Sequence, residues 1–75
     1  MQKAIEYLSG IEVHASTFEG VFNLVSSDGV GFGHVMNRLS HPGWTAWFWE
    51  TDGDSYEGTF ATREIAIQAM SVLAP

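Results

Sequence analysis

Trp44-Thr45-Ala46-Trp47-Phe48-Trp49-Glu50-Thr51-Asp52-Gly53-Asp54-Ser55-Tyr56-Glu57-Gly58-Thr59-Phe60 is the stretch that decides the fold. Its first seven residues are dense in aromatics, which suit the pleated, half-buried surface of a strand. Asp52-Gly53 is a favoured pair for a tight hairpin turn. Ser55 to Phe60 then reads as the returning strand. A period of two puts Tyr56, Gly58 and Phe60 on one face, so Tyr56 and Phe60 are expected to point inward together. On the first strand Trp47 and Trp49 share one face, while Ala46 and Phe48 take the other, with Trp44 on their side. Both faces of that strand are therefore apolar: one can pack on a helix, and the other is covered by the N-terminal segment, left exposed or buried in another chain.

One cover is encoded just downstream. Thr62 is placed to cap a helix by accepting an orphan N–H, and Glu64 falls in the first turn, where negative charge is favoured. The helix runs from Arg63 to Leu73, with Ile65, Ala66, Ala69, Met70 and Leu73 forming the expected buried stripe. Ile67 and Val72 lie off that stripe and either widen it or mark a contact with a partner.

Upstream, Ser26-Ser27-Asp28-Gly29 is a turn signal, since Gly29 takes positive φ cheaply and Asp28 can bond nearby backbone. It separates two candidate strands, residues 18–25 and 30–36. In the first, Phe18, Phe22 and Leu24 should share a face. In the second, Val30, Phe32 and His34 should share one face, and Gly31, Gly33 and Val35 the other. Two glycines weaken a strand unless something packs close to its backbone. Pro42-Gly43 marks the next connection. Ile11-Glu12-Val13-His14-Ala15 alternates as a strand. Residues 2–9 read as a short helix with Ala4, Ile5 and Leu8 on one face and Gly10 as its C-cap; a strand through residues 3–7 is the alternative. The expected fold class is α+β: one domain spanning 1–75, with an antiparallel meander sheet of three to five strands packed against a C-terminal amphipathic helix, and a short N-terminal helix.

Composition narrows the function classes. The 75 residues include no cysteine, which removes disulfides, thiolate metal sites and thiol nucleophiles and favours a reducing, cytoplasmic setting. Residues 1–8 lack the apolar run of a signal peptide, and no stretch is long enough to span a bilayer. Nine acids face three bases, a net charge of −6, so a phosphate backbone or an anionic membrane is a poor partner. No direct double-stranded nucleic acid binding is expected. The bases are Lys3, Arg38 and Arg63.

No motif in the chain carries chemistry. His14, His34 and His41 lack metal-ligand spacing, and Asp52, Asp54 and Glu57 lack the pattern of a calcium loop. Gly29-Val30-Gly31-Phe32-Gly33 precedes a strand rather than a helix and has no phosphate-loop lysine. No catalytic residue, metal or cofactor is assigned. The leading expectation is a small acidic protein-interaction module, an inhibitor or accessory factor that binds a basic or nucleic-acid-handling protein. Its candidate contact residues are Trp44, Trp47, Trp49, Glu50, Asp52, Asp54 and Glu57. One alternative is a small enzyme or ligand-binding domain using His34 or His41; another is a structural homodimer. The span from Trp47 to Ala69 resembles, in shape alone, hairpin-plus-helix segments of small α+β proteins of mobile elements and bacteria.

Overall fold

A computed structural model describes residues 6–37 and 42–73. Within them lie six strands and one helix: β1 (Glu6–Leu8), β2 (Ile11–Ala15), β3 (Val21–Val25), β4 (Gly31–Met36), β5 (Trp44–Glu50), β6 (Gly53–Phe60) and α1 (Arg63–Leu73). The strands form one antiparallel sheet in chain order, so every connection joins neighbours. The class is α+β as the periodicity predicts, with more strands than the three to five expected.

The extra strand is β1, where the sequence suggested a helix over 2–9. Residues 1–5 lie outside the described part. Residues 6–8 pair with β2 through Glu6↔Val13, Tyr7↔Glu12 and Leu8↔Ile11. Ser9 and Gly10 both have positive φ, the signature of a two-residue hairpin turn. A helix C-cap and such a turn ask the same thing of glycine, so Gly10 fits both readings, and pairing with β2 decides between them. Two other boundaries also move. Phe18 sits in the β2–β3 connection, 73% exposed, rather than in a strand beside Phe22. The β5–β6 turn is Thr51-Asp52, one residue earlier than Asp52-Gly53, because Gly53 already pairs with Glu50.

The helix covers one face of the sheet. Ile11, Val13, Leu24, Val35 and Ala46 meet Ala66, Ile67 and Met70 in the core. Thr62 caps the helix as expected: its Oγ1 accepts the Ile65 N–H at 3.1 Å, and its carbonyl accepts the Ala66 N–H at 3.1 Å. The buried stripe is rotated from the expected one. Ile67 is fully buried, whereas Ile65 and Leu73 are exposed and Val72 is 79% exposed. The cause lies at both ends of the contact. Met70 seats over Gly33, where any Cβ would strike the Met70 methyl and the Trp47 carbonyl. Arg63 donates to both carboxylate oxygens of Glu6, at 2.9 and 2.5 Å, and lies 4.7 Å over the Phe22 ring. Together these fix which side of the helix faces down.

Two bulges reset the expected faces. Between Leu24 and Val25 the register shifts, so Val25 pairs with Gly31 while Leu24 pairs with Gly33. Phe32 is therefore turned toward the helix, 5.9 Å from Phe48, and parts from His34. Gly31 parts from Gly33 in turn and lies under the Trp49 ring on the opposite face. Between Ala46 and Trp47 a second shift pairs Ala46 with Gly58 and Trp47 with Tyr56, leaving Glu57 unpaired. Tyr56 accordingly faces away from the helix while Phe60 packs against the core, not inward together as simple alternation requires.

The two glycines of β4 should differ in their tolerance. Gly33→Ala is expected to cost about 1–3 kcal/mol, because backbone and a buried methyl block the new Cβ. Gly31→Ala should cost less, because its Cβ meets only the edge of one indole, with the nearest backbone at 3.9 Å, whereas Gly33 meets backbone at once. Urea denaturation of the two variants checks the order; equal losses would contradict the packing described.

Candidate interaction surface

The face of the sheet turned away from the helix is built around one cross-strand row. His14, Asn23, His34, Trp47 and Tyr56 lie directly opposite one another across β2 to β6. Antiparallel neighbours in such a row are close enough for their side chains to touch. His34 stacks nearly parallel on Trp47, with centroids 6.2 Å apart and planes at 11°. Trp47 meets Tyr56 at 5.1 Å and 58°. Trp49, two residues along β5, donates its indole N–H to His34 Nδ1 at 2.8 Å. Trp49 pairs with Asp54, which adds a carboxylate to the same patch. At the far end of the row His14 Nε2 lies 3.1 Å from Glu12 Oε1.

The polar atoms of these aromatics are engaged within the chain. The Trp47 indole N–H is bonded to Thr45 Oγ1 at 3.1 Å, and the Thr45 hydroxyl donates to the Met36 carbonyl at 3.3 Å. The Tyr56 hydroxyl is paired with Thr59 Oγ1. These bonds hold the ring planes and leave the π surfaces outward: Trp49 is 42% and Tyr56 53% exposed. His34 is the sheltered member. Burial in the stack holds its imidazole below the ordinary value, with Asp54 pulling more weakly the other way. The bond from Trp49 requires a bare Nδ1, which fits the neutral ring.

The structure brings Trp47, Trp49 and Asp54 together on this face. Glu50 and Asp52 sit exposed at the adjoining hairpin tip. Alternate turns of a meander emerge at the same end, so Asp28 in the β3–β4 turn lies at that end too. Glu57 occupies the bulge and accepts a bond from Ser55 Oγ at 2.8 Å. Trp44 lies on the helix side, 5.8 Å from Phe22, apart from the other two tryptophans. His41, named with His34 in the enzyme alternative, is outside the described residues. Tyr56 was missed as a surface residue because the bulge that turns it outward has no local sequence signal beyond Gly58. His34 was singled out, but its contact with the tryptophans comes from its pairing opposite Trp47, which one strand alone does not reveal.

Elsewhere, a shallow apolar groove of about 450 Å³ runs along the helix, lined by Phe60, Ile65, Gln68, Ala69, Val72 and Leu73. A second concavity involves Glu19, Gly20, Phe22, Asn37 and Trp44. Neither includes His34. Among the described residues no group of His, Asp and Glu is arranged to hold a metal, and no helix is long and apolar enough to cross a membrane. Comparison with known families, with curated proteins and with solved structures returned no match.

His34 gives this face a pH signature. Its folded-state value is depressed, so the neutral ring favours the fold; that contribution is present above the unfolded value and declines as pH falls through it. Between pH 7 and about 5 the wild type should lose more thermal stability than His34→Gln, which retains an acceptor for Trp49 but does not titrate there. The Trp49 indole N–H resonance should shift with the same midpoint as the His34 ring. Parallel stability profiles for the two proteins would contradict this.

Proposed function

We propose that this chain is a protein-interaction module that presents the uncovered face of its sheet to a basic partner. The observation that carries the reading is the exposed Trp49–Tyr56 patch, anchored by internal hydrogen bonds and bordered by Asp54. Aromatic side chains held rigid in this way are the usual anchors of protein interfaces. Charge selects the partner. Among the described residues the one base, Arg63, is on the helix side and bound to Glu6 and Glu64. The acids Asp28, Glu50, Asp52 and Asp54 gather at one end of the sheet. A nucleic-acid-handling protein, basic where it meets phosphate, is a partner of the right sign, and blocking that surface would make this chain an inhibitor or accessory factor.

A second reading, the homodimer, draws on the helix groove, where Ile65, Val72 and Leu73 leave apolar surface exposed. The enzyme alternative has weaker support, because the bonded partner of His34 is an indole rather than a nucleophile.

A photo-crosslinking residue at position 56, compared with one at position 65, separates these readings in the native host. Position 56 should give crosslinks to a protein of net positive charge that fade as salt is raised, with the purified chain sedimenting as a monomer. Crosslinks from position 65 to a second copy, with a dimer in sedimentation and nothing from position 56, would replace this reading with the homodimer.

A further inference from the structure

The four corners of one patch on the open face are Trp47, Tyr56, Trp49 and Asp54, two cross-strand pairs set two residues apart. Each aromatic corner has its hydrogen-bonding atom already engaged: Trp47 with Thr45, Tyr56 with Thr59, Trp49 with His34. An incoming group therefore finds two kinds of surface here, ring faces and a carboxylate. Ring faces carry negative quadrupole potential, and Asp54 carries a full negative charge, so both attract the same kind of group. Asp54 makes no ion pair among the described residues. The neighbouring His34 accepts a hydrogen bond from the Trp49 indole N–H at Nδ1, which fits the neutral ring, so it adds no positive charge that would repel a cation.

We propose that Trp49, Tyr56 and Asp54 form a seat for an arginine side chain of the partner; this rests on the reading of the open face as a binding surface. A guanidinium is flat and weakly hydrated, and its edge donates two parallel hydrogen bonds to a carboxylate while its face lies on a ring. The patch offers those two elements side by side. A lysine ammonium keeps its water more tightly and has no face to stack, so it should fit less well. A nucleobase would also stack on these rings, but its phosphate would meet Asp54, with Asp52 in the adjoining turn and no Lys or Arg among the described residues on this face.

The test is a titration of the full chain with an Arg-Gly repeat peptide, a matched Lys-Gly peptide and oligothymidylate, followed by tryptophan fluorescence and by the Trp49 indole N–H resonance. The arginine peptide should bind about five- to tenfold more tightly than the lysine peptide, and Asp54→Asn should remove most of that preference. Glu19→Gln, in the loop at the other end of the sheet, should leave it unchanged. Trp49→Phe should keep the π face and part of the binding, which guards against a folding defect in Trp49→Ala. Equal binding of the two peptides, an effect of Asp54→Asn no larger than that of Glu19→Gln, failure of both peptides to bind, or tighter binding of oligothymidylate would each overturn the seat. Crosslinking from position 56 without arginine selectivity would leave the interaction reading standing and remove only the seat. Arginine selectivity without any crosslinked partner would do the reverse.

Discussion

The contact of Met70 with the bare backbone of Gly33 sets the distance between helix and sheet, and the rest of the packing follows from it. A side chain at position 33 would lift the helix off β4. With Met70 down, Ala66 and Ile67 are brought onto the buried side, and Ile65, Val72 and Leu73 are rotated out. Arg63 fastens the other end by joining Glu6 of β1 to the first turn of the helix across Phe22. In so small a domain few large side chains are available for a core, so one well-seated methionine and one well-placed guanidinium weigh heavily.

The open face depends on a different device, the pair of bulges. Without the shift at Leu24/Val25, Gly31 would face the helix and Trp49 would have no flat place to lie. Without the shift at Ala46/Trp47, Tyr56 would point into the core and the row from His14 would stop at Trp47. Each bulge inserts one residue and so swaps the faces on one side of it. The second also places Glu57 on the outermost long strand, where an irregularity bearing a charge discourages pairing with another sheet.

Much of this was legible in the sequence because it is local. The alternation of Trp44 to Glu50, the Ser26–Gly29 turn and the Thr62 cap each follow from residues a few positions apart. What was not legible is what depends on pairing. Gly10 satisfies a helix end and a hairpin equally, and only the partner strand chooses. The face of Tyr56 depends on an extra residue that no periodic count detects, since a bulge is defined by two strands rather than one. The helix stripe misled for a related reason: Ile65 and Ile67 are both apolar, and which one is buried depends on where Gly33 lets Met70 sit. For the candidate surface, period alone puts Trp47 and Trp49 on one face and Trp44 on the other, as the fold has them, although residue type had grouped all three as contact candidates.

The division of labour across the sheet also bears on how such a chain can change over time. The residues that hold the fold together, Leu24, Val35, Ala46 and Met70, are on one side, and Trp49, Tyr56 and Asp54 are on the other. Strand geometry interleaves them one by one along the chain while separating them in space. Substitutions on the open side leave the core's apolar contacts intact, so that surface can change with the helix-side packing undisturbed. A small protein arranged in this way can vary one side of two adjacent strands while the other side keeps the fold.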